Sequence, residues 1–289
     1  MTINLYNQID RIAKETGIKN VAISFYDYET STSWSYKGDV FFHAASTIKV
    51  PILIGIFQLI EEGKLKLDSQ VHVRNRFISP FNNEPFRVQA SRDGNRTVYS
   101  SIGRALPVSE LAHQMIVTSS NLATNLLVEL VGAETLQQKL KRLNINGVEF
   151  RRGVEDELAF ENGINNMVTA NGLTKLFRYL HESDEIATEL SDKMIDILRQ
   201  QKFNQGIPVG VPKDLRKQSI FAHKTGEISM VAHDTGLAYL PERNPYALTI
   251  LTERVPGESK SRRAIQRISR LVYKNFIGTE IHELEEHEV

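Results

Sequence analysis

The sequence predicts a mixed α/β (α+β) protein. One antiparallel sheet is built from both ends of the chain and flanked by helices, with an all-helical region inserted between the two halves. Three observations carry this. Near the N-terminus VAISFYDYET alternates Val21, Ile23 and Phe25 against smaller or polar residues, the two-residue period of a strand. From Ser46 to about residue 201 apolar residues recur at helical spacing. Beyond that, SIFAHKTG, MVAHDTGLAYL and YALTILTE bring strand character back, bounded by Gly, Pro and Asn.

The elements follow in order. NQIDRIAKETGIKN spaces Ile9, Ile12 and Ala13 at helical intervals and meets Gly17 as a stop. STSWSYKGD reads as a second strand, joined to the first by a short polar turn, so the two form a hairpin. VPILIGIFQLIEEGKLKLD is apolar almost all round, the pattern of a helix buried at the centre of a domain, and Gly63 ends it. Pro51 lacks an N–H and crowds the preceding turn, which predicts a tight or distorted first turn around Ser46. Residues 74–106 are polar, punctuated by Pro80, Pro85 and Gly94, and read as a long excursion. Loops of that length are usually functional or mobile. Its arginines, Arg74, Arg76, Arg87, Arg92, Arg96 and Arg104, read as a solvated rim or, second to that, as part of a substrate lip. VSELAHQMIVT, NLATNLLVELVG, ETLQQKLKRLN, TANGLTKLFRYLHE and SDKMIDILRQQ continue as helices. The chain closes with a basic amphipathic helix, SRRAIQRISRLVYKNF, and a solvated acidic tail, HELEEHEV. The expected division is an α/β domain from residues 1–42 and 204–289 and a helical domain from 43–203.

Composition narrows the function. Thirty-five basic residues balance thirty-five acidic ones, so no net field recruits nucleic acid or an anionic membrane. Cysteine is absent, which removes disulfides, thiolate metal sites and cysteine nucleophiles. No stretch approaches the ~18 apolar residues of a membrane span, and the N-terminus lacks the apolar run of a secretory leader. As written, the chain is expected in the cytoplasm, or outside it if a leader has been removed. His43, His223 and His233 fall in no H-E-x-x-H pattern or close acidic cluster, and are expected to be structural, with no metal.

Three short motifs carry chemistry. Ser46-Thr47-Ile48-Lys49 sets a hydroxyl and an amine three residues apart, on one helix face. The pair is either a helix cap beside a solvated lysine or a nucleophile beside its base. Ser119-Ser120-Asn121 lies between two helices, where Ser and Asn also serve as caps. Lys224-Thr225-Gly226 leaves an apolar strand, as a turn or as an arm toward an anionic ligand.

Taken in order, the three motifs resemble the S-x-x-K, S-D-N and K-T-G set of class A β-lactamases and penicillin-binding proteins. FHAASTIKVPILIGIFQLIEEGKLKLD resembles the nucleophile-helix segment of that superfamily, MIVTSSNLATNLLVELVG its S-D-N segment, and HKTGEISMVAHDTGLAYLP its K-T-G strand and the strand after it. The match runs in order through most of residues 20–275 and is specific in those three blocks.

The resemblance implies a β-lactamase/transpeptidase-like fold with the active site between the two domains. It implies a serine acyl-hydrolase, acting without a cofactor on a small-molecule or peptide substrate: a β-lactam, peptide or ester that acylates Ser46. Lys49 is then the base, its pKa lowered by burial and by the neighbouring cation Lys224. Ser119 shuttles a proton to the leaving nitrogen, Asn121 binds the acyl side-chain amide, and Lys224 and Thr225 hold the substrate carboxylate. The backbone N–H groups of Ser46 and Glu227 form the oxyanion hole, worth ~3–4 kcal/mol each in the transition state, and Gly226 lets the strand approach the substrate closely.

Three departures bear on the fate of the acyl group. The family's E-x-x-L-N stretch is missing: RRGVEDELAFENGINNMVTA offers Glu155 and Glu157 as candidate deacylation carboxylates, with Ala159 where the Asn belongs. Ser120 replaces the Asp of S-D-N, and Glu227 adds a carboxylate that repels an anionic ligand. Two readings stay open: a hydrolase that turns over, and a penicillin-binding or sensor-like protein on the same scaffold with little turnover.

Overall fold

The computed structural model describes residues 2–182, 186–255 and 260–278; the acidic tail at 282–289 lies outside them. Helix α1 (Thr2–Glu15) buries Leu5, Ile9 and Ile12. It leads into the hairpin of β1 (Ile18–Asp27) and β2 (Thr32–Tyr36). Helices α2 (Lys49–Glu61), α3 (Val108–Val117), α4 (Asn121–Val131), α5 (Ala170–Glu182) and α6 (Thr188–Arg199) fill the middle of the chain. Strands β3 (Ile220–Glu227), β4 (Val231–Tyr239) and β5 (Tyr246–Arg254) follow, then α7 (Ser261–Val272).

The five strands form one antiparallel sheet in the order β3-β4-β5-β1-β2, so the two ends of the chain meet where β5 pairs with β1. In that pair Ile23 faces Ile250 and Phe25 faces Leu248. Alternation then divides the strand between two layers. Ile23, Phe25, Leu248 and Ile250 pack under α1 and α7, with Ile9 and Ile268. The opposite face presents Ala22, Ala247 and Leu251 to the helical layer. Small residues there admit α5, whose Thr174 hydroxyl reaches Thr249 at 2.8 Å.

Helix α2 is buried from Lys49 to Phe57, as its all-round apolar pattern requires. The distortion expected at its start is confined to a 3₁₀ turn, Ala45–Ile48, that carries Ser46. Pro51 sits in the first turn of α2 proper, where its missing N–H has no intrahelical partner to lose. Gly63 ends the segment at φ +69°.

The excursion at 74–106 is more ordered than its composition suggests. It holds a short strand pair, Phe77–Ile78 with Pro85–Phe86, a 3₁₀ turn at Ala90–Arg92 and a helix at Arg96–Ser100. Val73 just before it and Val88 and Val98 within it are buried in the helical core, and the Asn75 amide closes both backbone groups of Val88, each at 2.8 Å. Three well-spaced valines suffice to pin it down.

Candidate active site

The Ser46 turn is braced from below by two imidazoles. His43 Nδ1 accepts the Ala45 N–H at 3.1 Å, fixing a backbone that passes through φ 46° at Ala45. His233 Nδ1 accepts from the Thr252 N–H at 3.2 Å, so its Nε2 carries the hydrogen and donates to the His43 carbonyl at 2.9 Å. Burial pushes both imidazoles down to about 4, the Arg152 cation adding to the effect at His43. They are neutral braces.

Ser46 and Ser119 line a cavity of about 200 Å³ together with Thr225, Gly226 and Glu227. Two fully buried lysines lie beneath them. Lys49 Nζ donates to the Ser119 carbonyl (2.8 Å), to Ser119 Oγ (3.1 Å) and to Asn121 Oδ1 (2.7 Å). Lys224 Nζ donates to Ser119 Oγ (3.2 Å) and to the Thr225 carbonyl (2.8 Å). Ser119, held at φ 59°, therefore accepts from both cations. The hydroxyl of Ser46 has no hydrogen-bond partner among the described residues. Sharing a helical face does not join it to Lys49, because the turn is 3₁₀ and all three ammonium hydrogens are engaged elsewhere.

Burial lowers the Lys49 ammonium to about 7, against the opposing charges of Asp93 and Glu155. The cation–cation effect expected at Lys49 acts on its partner instead. Lys224 is pushed well below the usual lysine range by burial and then by Lys49, with Asp234 opposing.

Strand β3 carries Lys224, Thr225 and Gly226 at the sheet edge, against the Ser46 turn. A Cβ at position 226 would lie 3.1 Å from the Ser46 nitrogen and 3.0 Å from that of Thr47, so glycine permits this approach. Glu227, expected to repel an anion, is neutralised: Arg254 meets its carboxylate at 2.5 Å and Arg262 at 3.1 Å. Burial opposes ionisation of Glu227, and the two arginines outweigh it, holding the carboxyl below its ordinary range. Behind the strand, His223 Nδ1 meets Asp234 at 2.8 Å, and the other oxygen of Asp234 accepts the Ile207 N–H at 2.8 Å.

The opposite wall contains residues that the motifs do not reveal. Asn121 Nδ2 donates to the Arg92 carbonyl at 2.8 Å and to Glu155 Oε1 at 3.1 Å. With Oδ1 on Lys49, this amide links the lysine to a carboxylate. Glu155 is half-buried at φ 63°. Burial raises its carboxyl, opposed by Arg92 and Lys49. Arg92 Nε lies 2.6 Å from Glu155 Oε2, and the same guanidinium meets Glu157. The structure thus separates the two candidate carboxylates: Glu155 is in the site, and Glu157 is exposed at the rim. Asp156 caps the short helix after it, accepting the Ala159 N–H at 3.0 Å. Arg92 is exposed, as a rim residue is, yet the excursion brings its guanidinium onto Glu155.

Asp93, next in the chain, answers the loss of the acid from S-D-N. Its Oδ2 accepts the Leu122 N–H at 2.7 Å and lies 3.3 Å from the Ser120 hydroxyl. A carboxylate from the excursion braces the loop that Ser120 leaves uncharged. Gly94 allows the crossing, since a Cβ there would collide with the Thr118 carbonyl. The Asp-Gly pair in a polar stretch is the available signal.

The comparisons agree with this architecture. The model of the beta-lactamase enzyme family matches residues 4–276. Over 288 residues the chain is 18% identical to beta-lactamase VEB-1 of Pseudomonas aeruginosa, covering 96% of this chain and 92% of that protein. It superposes on the structure of PBP-A with a TM-score of 0.79 at 25% identity, covering 94% of this chain and 96% of that one. A beta-lactamase of Sphaerobacter thermophilus matches at 22% identity and TM-score 0.78, over 93% of this chain and 95% of that one, a likeness of fold.

Proposed function

Because the chain belongs to the beta-lactamase enzyme family, on a serine-hydrolase scaffold, we propose that it is a class A-type acyl-hydrolase that opens β-lactams through an acyl-enzyme at Ser46. One observation carries the reading: Lys49, Ser119 and Lys224 form a hydrogen-bonded chain, its two cations fully buried, beside a Ser46 hydroxyl free of other partners among the described residues.

The chemistry follows from that chain. Lys49, lowered to about 7, is neutral for part of the time at neutral pH and accepts the Ser46 proton as Oγ attacks the lactam carbonyl. The oxyanion is held by the backbone N–H groups of Ser46 and Glu227. The C–N bond breaks as Ser119 gives its proton to the lactam nitrogen and is reprotonated by Lys49. Lys224 and Thr225 hold the substrate carboxylate, with Arg262 at the same cavity. In the second half, Glu155 takes a proton from water as its oxygen attacks the acyl ester; the ester C–O bond then breaks, and Ser46 leaves with that proton, returned from Glu155 through Lys49.

PBP-A has a variant solved as an acyl-enzyme complex with penicillin G, which supports the first half in a relative. Ala159, where a polar residue is expected, favours a second reading, a penicillin-binding or sensor-like protein with slow release. Incubation with a chromogenic cephalosporin and a labelled penicillin separates them. Turnover supports the hydrolase, and a stable Ser46 adduct without turnover the binder. If neither forms, and Ser46→Ala leaves ester hydrolysis unchanged, the nucleophile is misassigned.

A further inference from the structure

We propose that Arg92 is a positioning residue for acyl-enzyme release, its guanidinium fixing Glu155 beside the Asn121 amide that its carbonyl holds, and that this side chain governs deacylation but not acylation; this rests on the acyl-enzyme reading of Ser46. Arg92 touches both partners at once, its carbonyl taking Asn121 Nδ2 at 2.8 Å and its Nε lying 2.6 Å from Glu155 Oε2. Glu155 needs such a hold. Its backbone is left-handed at φ 63°, a conformation costly for a side chain with a Cβ. Its segment contributes no polar group from Ala159.

The contact also leaves chemistry open. Oε2 is buried and meets Arg92 as an ion pair, without accepting an aligned hydrogen bond, so one of its lone pairs is uncommitted. The charged groups facing Glu155 are Arg92, Lys49, Glu157 and Arg152. Arg92 offsets the effect of burial more than any other, and removing it moves the acid limb of release to higher pH. Acylation relies on Lys49, Ser119 and Lys224, none of which Arg92 touches.

The test is a double-mutant cycle on single-turnover kinetics with penicillin G, using intact mass to follow formation and decay of the Ser46 adduct across pH. Arg92→Ala is expected to slow decay on the order of 10-fold, below the roughly 10²–10⁴ of losing a general base. Its acid limb rises, and adduct formation stays within about twofold of the parent. Arg92→Lys restores part of the rate. In a Glu155→Gln background, Arg92→Ala has no further effect, because the two act as one unit. Unchanged or faster decay, equal losses in both steps, or full additivity with Glu155→Gln overturns the assignment while leaving the acyl-enzyme reading intact. Absence of any adduct on the parent protein overturns both.

Discussion

A lysine shut away from water keeps its proton only to the extent that its partners replace lost hydration. Lys49 has three acceptors, and burial still brings it to about 7. The ammonium form is incompetent as a base, so acylation of Ser46 is expected to be slow below pH 7, to rise through about 7 and to level off above it. Stopped-flow acylation rates against pH check this. A profile flat from pH 5 to 9 would contradict the role of Lys49. Lys49→Arg should lose roughly 10²–10⁴ in acylation at every pH, since guanidinium does not titrate in this range. At this scale the sequence is legible for neighbours on one strand, such as Lys224 with Thr225, whereas Ser46 and Lys49, three residues apart, make no hydrogen bond to each other. It is silent on Arg92 and Asp93, which reach Glu155 and Leu122 over separations of 63 and 29 residues. Pairings of that kind depend on a fold, not on spacing.

The start of helix α4 depends on a neighbour. Ser120 caps it by accepting the Ala123 N–H at 3.1 Å, and Asp93 takes the Leu122 N–H beside it. Two orphan donors of the first turn are thereby satisfied from two segments. Asp93→Ala should cost about 1–2 kcal/mol of stability, the worth of a helix cap, and slow acylation by loosening Ser119 and Asn121. Thermal unfolding alongside acylation kinetics measures both, and a variant unaltered in each would refute the brace. Elements with a strong period, α2 and the strands of the sheet, are readable from their apolar pattern. The excursion misleads because its polarity suggests an absence of structure, when three buried valines and one asparagine anchor it.

At the scale of the molecule, the sheet is shared. Leu251, Ala247 and Ala22 belong to the same apolar cluster as Ile52, Met115 and Phe177 of the helical layer. The residues of the proposed site divide the same way: Lys49 from α2 and Ser119 from the turn between α3 and α4, Lys224 and Thr225 from β3. Fold and site are therefore expected to melt together. Near-ultraviolet circular dichroism and Ser46 acylation should be lost in one transition in urea. Leu251→Ala should lower both by about 2–5 kcal/mol, the range for emptying a buried leucine site. Separate midpoints for the two signals would show that the layers are independent.

The acyl-enzyme at Ser46 is tested most directly where release is blocked. Penicillin G is added to the Glu155→Gln variant, and the product is weighed intact and mapped by peptide. The expected result is one adduct per chain, on the peptide that contains Ser46. It should outlast the parent's adduct by roughly 10²-fold or more, and none should form on Ser46→Ala. No adduct, an adduct on another peptide, or one that persists in Ser46→Ala would contradict the assignment.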